Sequence, residues 1–410
     1  MNRKQLGILL VLVVLIGGAG LIVLKKQKES RSAGNTTIGQ KLIKDFPVND
    51  VTHVAIRQGT NAVNLVRKDD IWKVAERKDY PADFSKLSKF LLELRDLKAV
   101  QTEQVGPSQL PRLELATGQG TNSPTVVEFK GANDKSLNTL LLGKMHMSSG
   151  RGASQFGGEG GWPDGRYVMV GTNSENVAVI SSSFEDIQPK PEQWLNKDFV
   201  HVEKPKSIAV EFPVATNSWK LTRETESGEW KLADAKPEEH LDSSKISGVT
   251  SPFSSPSFND VLSGDQVNET GTNQPTIVTI ETFDGFQYRV KVGGKTNGNY
   301  LVSLAVNAQL PKERVAGKDE KPEDKARLDK EFADQQKKLE EKLKREQAFG
   351  NWTYEVTTWS VDPVLKKRSE LLEQKKAEEK SAGESETNEL DSTEAPKLEN
   401  PPLPAVTNAP

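Results

Sequence analysis

One stretch of this chain occurs twice. Asp83-Phe84-Ser85-Lys86-Leu87-Ser88 returns as Asp242-Ser243-Ser244-Lys245-Ile246-Ser247, and its surroundings return in the same order. Upstream, Trp72-Lys73-Val74-Ala75 matches Trp230-Lys231-Leu232-Ala233. Downstream, Pro124-Thr125-Val126-Val127 matches Pro275-Thr276-Ile277-Val278, and Gly143-Lys144 matches Gly294-Lys295. Chance similarities do not stay collinear over such a length, so the matches describe one structural unit used twice. This constrains architecture far more than chemistry.

The first copy opens with Val51-Thr52-His53-Val54-Ala55-Ile56, whose alternation reads as a half-buried strand. Strands at 62–66 and 71–75 follow, joined by the turn-prone Lys68-Asp69-Asp70. Asp83 is a good N-cap for a helix over 84–98, on which Phe84, Leu87, Phe90, Leu91, Leu94 and Leu97 form an apolar stripe expected to pack on the sheet. Further strands are expected at 125–130, 136–142, 166–170 and 177–182. The second copy repeats the plan with strands at 207–212, 219–222 and 229–233 and a helix beginning near Asp242, which Pro252 and Pro256 limit. Strands resume at 276–282, 287–292, 300–306 and 352–359. Each copy is then an antiparallel sheet with one helix, an α+β design. The first copy is expected over 46–200 and the second over 201–373.

The copies differ in two insertions. In the first, a glycine-rich loop at 145–165 separates Lys144 from Tyr167, where the second needs one short turn from Lys295 to Tyr300. In the second, a hairpin is opened by residues 309–350. Leu328, Phe332, Leu339 and Leu343 there draw a narrow apolar seam on a Lys- and Glu-rich helix over 323–347, a solvated arm or a coiled-coil-like docking element. Residues 374–410 are rich in Glu and Lys and contain Pro401-Pro402-Leu403-Pro404, a composition expected to be disordered.

Residues 6–24 contain no charged or strongly polar side chain, and at ~1.5 Å per residue they would span roughly 28 Å of hydrocarbon. The apolar run continues beyond the small residues Gly17-Gly18-Ala19-Gly20, so a retained single-pass anchor (1–29, with a polar linker at 30–45) is expected over a cleaved signal. Lys25, Lys26, Lys28 and Arg31 on its C-terminal side favour a cytoplasmic body on charge alone. A tail of five residues before the run and a large domain after it favour export, and an extracytoplasmic body is the expectation.

Chemistry is sought with little return. The formal net charge of −3 gives no concentrated positive surface for nucleic acid. With no cysteine there are no disulfides, thiolate metal sites or thiol nucleophiles. Gly293-Gly294-Lys295-Thr296 lacks the first glycine of a phosphate loop, since Arg289 stands there, and reads as a hairpin turn. His53, His146, His201 and His240 lack metal-ligand spacing, and no Gly-x-Ser-x-Gly elbow occurs. No catalytic, cofactor-binding or metal-binding residue is assigned. Trp72 and Trp230 occupy matched positions and read as sheet packing, whereas Trp162, in the glycine-rich loop, has no counterpart and is the candidate partner contact.

The anchor, Ile71-Trp72-Lys73-Val74, and the helix start Tyr80-Pro81-Ala82-Asp83 with its following leucines resemble the domain of unknown function 4340 family, over roughly 46–372. Members are bacterial envelope proteins with an N-terminal membrane segment, similar to a region found with gliding-motility-type ABC transporter components. The resemblance implies an accessory or scaffold role beside transporter subunits, at the bacterial inner membrane, and carries no catalytic residues. The expected function is therefore a membrane-anchored, non-enzymatic binding or scaffold protein. The alternative is an envelope hydrolase with a carboxylate site between the two copies.

Overall fold

The computed structural model describes residues 38–103, 105–118, 123–147, 163–171, 177–262, 274–315 and 320–373. The run at 6–24, the residues around Trp162 and the tail from 374 on lie outside them. Among the described residues no helix is long and apolar enough to cross a membrane.

Two antiparallel sheets and a few helices build an α+β fold. The first sheet comprises β1 (His53–Gln58), β2 (Asn61–Lys68), β3 (Ile71–Val74), β4 (Tyr80–Pro81), β5 (Gln101–Glu103), β6 (Thr125–Lys130), β7 (Ser136–Met147), β8 (Pro163–Val170) and β9 (Val177–Ile180). The second comprises β10 (Pro205–Glu211), β11 (Trp219–Thr222), β12 (Lys231–Leu232), β13 (Phe258–Leu262), β14 (Thr276–Thr282), β15 (Phe286–Thr296), β16 (Asn299–Ala308) and β17 (Thr353–Val356). Their strand orders are β4-β3-β2-β1-β6-β7-β8-β9-β5 and β12-β11-β10-β14-β15-β16-β17-β13. With β4 set aside, each strand of one order has its counterpart at the same place in the other.

The helices show the same pairing. Helix α1 (Phe84–Asp96) starts at Asp83, whose side chain accepts from the Lys86 amide. Helix α2 (Ser243–Ile246) starts at Asp242, which accepts from the Ser244 and Lys245 amides. Helix α2 is one turn long, and bends and turns replace the rest of α1 before Pro252 and Pro256. Each copy is closed by a late segment that returns to its own N-cap. The Asp83 amide donates to Trp194 O at 2.7 Å and the Asp242 amide to Leu371 O at 2.9 Å, beside the bridges Ala82–Leu195 and Leu241–Leu372.

Several elements depart from the sequence reading. Gly293 to Thr296 belongs to the β15–β16 hairpin, which turns through Asn297-Gly298 with φ of 50° and 79°, the conformation that a two-residue hairpin turn requires. The strand expected over 352–359 stops at Val356, and α4 (Thr358–Val361) follows. Strands β4, β5 and β13 carry too few alternating residues to be read locally and exist because neighbouring strands supply their partners. The insertion forms α3 (Pro322–Ala348), 27 residues and ~40 Å long.

One continuous core takes side chains from both sheets. At their junction Tyr80 stands edge-on to Trp352 (ring centroids 4.9 Å apart), Phe258 and Tyr354, while Phe199 lies 4.5 Å from Tyr354. Beside the rings Arg77 grips Asp260 through two 2.7 Å hydrogen bonds.

Candidate functional site

Helix α1 presents an inner and an outer face. Leu87, Phe90, Leu91 and Leu94 are buried against the first sheet, as the 3–4 spacing demands. Phe84 does not join them, contrary to the stripe expected from sequence. Its side chain lies 59% exposed, one turn before Leu87, and Leu92 is 45% exposed two turns further along the same outer face. Between them Ser88 is small, and its hydroxyl turns back to Ser85 O at 3.1 Å. These residues form one wall of an open groove of about 530 Å³ whose other wall is Val48, Val51, Trp72 and the Arg67–Asp70 ion pair. Ile71, between Asp70 and Trp72 in the chain, is also more than half exposed.

The second copy shows that the fold does not require this surface. In the register set by Asp83 and Asp242, the core positions Leu87, Phe90 and Leu94 become Ile246, Val249 and Phe253, all buried. The outward positions Phe84 and Leu92 become Ser243 and Ser251, both exposed. Packing keeps the inner face largely apolar in both copies, with a half-buried Thr250 in the place of Leu91. Only in the first is the outer face apolar as well, and a grouped apolar surface of this kind marks an interaction site.

Two other places gather charge. At the junction Glu355 is buried, and burial together with the neighbouring Asp260 carboxylate pushes its carboxyl up, against the pull of Arg77. Asp260 has both oxygens bound by Arg77, and Glu192 lies 3.8 Å from the same guanidinium. A carboxylate pair for general acid–base chemistry needs one acid free to face a substrate, and here the cation sits among the acids. On the arm, Leu339 and Leu343 pack against the core, and the last turn of α3 buries Glu346. Its carboxylate accepts from Tyr288 Oη at 2.7 Å and from the His201 amide at 3.3 Å. Burial pushes this carboxyl up, while Tyr288, Lys342 and Arg345 oppose the shift. The rest of the arm is solvated and held by pairs such as Lys325–Asp329 and Arg327–Glu331. Arg314 also ties the chain leading into the arm back to Asp329 and Glu320.

Of the histidines, His53 accompanies Asn64, His146 lies 2.6 Å from Asp164, and His201 faces Glu203. Among the described residues no group of three or more His, Asp or Glu side chains is placed to hold a metal ion. Trp162, the contact residue singled out from sequence, lies outside the described residues.

Residues 72–275 match the family model described as Domain of unknown function (DUF4340). The chain belongs to this family. The matched DUF4340 stretch begins at Trp72, on the groove wall, and takes in both α1 and α2, so the contrast between Phe84/Leu92 and Ser243/Ser251 lies within the family domain. No curated protein and no solved structure matches the chain.

The groove was only partly visible in the sequence. The available signal was the repeat itself, in which Phe84 and Leu92 face serines while Leu87, Phe90 and Leu94 face apolar residues.

Proposed function

We propose that this DUF4340 protein is a membrane-anchored, non-enzymatic scaffold of the bacterial envelope, built from two tandem copies of one sheet-plus-helix unit. The observation that carries this reading is the exposed apolar face of α1, present on one copy and replaced by serine on the other. The apolar run at 6–24 is the single inner-membrane span, and the body is extracytoplasmic. Resemblance to regions found with ABC transporter components supports transporter subunits as its partners. The hydrolase reading is weaker, because among the described residues the junction acid pushed up is Glu355 and Arg77 lies among its carboxylate neighbours.

The test is affinity capture of the tagged full-length protein from gently solubilised membranes, with mass spectrometry of what accompanies it. Recovery of a transporter permease or ATPase in stoichiometric yield supports the scaffold. A protein recovered alone overturns it and moves attention to Glu355, where loss of a hydrolytic activity in Glu355→Gln would support the enzyme.

A further inference from the structure

We infer that the outer face of α1 rests on the lipid surface of the membrane that carries the anchor, so that the first copy docks on the bilayer and the second does not. The inference rests on the anchor reading above.

Three observations converge on it. The first is where the chain enters the body. Gly39 donates to Ala99 O at 2.9 Å and Leu42 to Leu97 O at 2.7 Å, so the first described residues run beside the chain that leaves the C-terminal end of α1. Ile38 and Val100, next in chain to this pairing, are both more than half exposed, so apolar side chains also lie bare where the anchor connects.

The second is reach. The connector 25–37, at ~3.5 Å per residue, can span no more than about 45 Å even when fully extended. The end of α1 is thereby kept within about 45 Å of the bilayer, and a face held there meets headgroups at high effective concentration.

The third is charge. Between the apolar run and the body the connector 25–37 carries Lys25, Lys26, Lys28 and Arg31 against Glu29 alone. A cationic approach to exposed Phe, Leu, Ile and Val side chains is the combination that anionic headgroups and the acyl boundary recognise together. The groove beside Ser88 then accommodates the upper part of an acyl chain or headgroup, and the Phe84 ring sits at interfacial depth.

The absence of cysteine makes the proposal directly testable in the full chain. Ser88→Cys and Ser247→Cys place one fluorescent label each at equivalent positions, since Ser88 and Ser247 make the same hydrogen bond to the carbonyl three residues earlier. The probe is a proteoliposome of phosphatidylethanolamine and phosphatidylglycerol containing nitroxide-bearing lipid. We expect at least threefold stronger quenching at 88 than at 247. Adding Phe84→Ser and Leu92→Ser should bring position 88 down to the level of 247. Equal quenching at the two positions overturns the proposal. So does a blue-shifted but unquenched label at 88, which would mean that protein covers the face. Flotation of the same vesicles after an alkaline wash separates the two readings. Label at 88 unquenched on a protein that still floats overturns the lipid face alone. A protein that was quenched at 88 and is then washed off keeps the lipid face and overturns the anchor.

Discussion

The two copies share a strand order and a closing hydrogen bond, yet the surface that follows β3 in one has the opposite character to the surface that follows β12 in the other. In the first copy Arg77 and Tyr80 are turned inward, where Tyr80 meets three rings of the second copy and Arg77 is chelated by Asp260. In the second copy the place of Tyr80 is taken by Glu239. Arg368 binds it at 2.6 Å and also holds Asp234, and that guanidinium, with the Lys236 amide, pushes the Glu239 carboxyl down to about 2. One copy ends in a surface that must be covered, the other in a charged cap that tolerates water. A repeat unit used twice acquires a junction and a terminus by changing a few side chains at one place, as solenoid repeats do at their caps.

Four outcomes bear on this contrast. The largest effect is expected from Tyr80→Ala, which opens a cavity among the junction rings and should lower the unfolding free energy of the full chain by about 4 kcal/mol, as truncation of other large buried aromatics does. Glu239→Ala, at the same position of the second copy, should cost about 1 kcal/mol or less, because its loss leaves Arg368 with Asp234 and water. Urea titration followed by tryptophan fluorescence compares the two, and equal losses would break the distinction between junction and cap.

A smaller step is expected at the ion pairs. Asp260→Ala strips a partly buried guanidinium of the carboxylate that accepts two of its hydrogen bonds and leaves it Glu192 at 3.8 Å, at a cost of about 2 kcal/mol. Asp234→Ala removes an exposed carboxylate from Arg368 and should cost about 0.5 kcal/mol in the same titration.

The N-caps test the helices. Asp83→Ala should cost about 1 kcal/mol. Asp242→Ala should cost about half as much, because only one turn of helix depends on it. Melting temperatures of the two variants measure the ratio, and a larger loss at Asp242 would contradict the ordering.

The smallest effect concerns pH. Glu346 holds its proton more tightly in the folded chain than in the unfolded one, so its contribution is fully present below the ordinary carboxylate range and is lost as pH rises through its raised folded value. Glu346→Gln keeps an acceptor for Tyr288 without the buried charge. It should match the wild type at pH 4 and be a few tenths of a kcal/mol more stable at pH 8, where Lys342, 4.0 Å away, already offsets part of the cost. Glu239 has the opposite sign, since stability present above the ordinary carboxylate range disappears as pH falls towards 2. Thermal melts of Glu346→Gln across this range reveal the effect of Glu346, and a difference from wild type that does not change with pH would remove it.

Much of the architecture was legible because local physics repeats. Asp83 and Asp242 announce helix starts, the alternation in 51–56 and 207–212 announces strands that form within two residues of those bounds, and a long Lys/Glu-rich run with a narrow apolar seam announces α3. The misses share a cause. Strands β4, β5 and β13 are short segments completed by distant partners, and the second-copy helix was nucleated by its cap but not extended by its residues. Phe84 was read as core because helical spacing admits it, and its exposure depends on what the rest of the fold brings over it.

The sequence by itself determined the duplication, the two helix caps, the arm and the apolar run at 6–24, since each is written in residues close together in the chain. Only the tertiary structure decided which apolar side chains are covered. Tyr80 is buried because the second copy brings Phe258, Trp352 and Tyr354 to it across some 180 to 270 residues of chain, and Phe84 and Leu92 are exposed because no described element packs over them. Burial is a property of what arrives from elsewhere in the fold, and helical or strand periodicity states only which side chains face the same way.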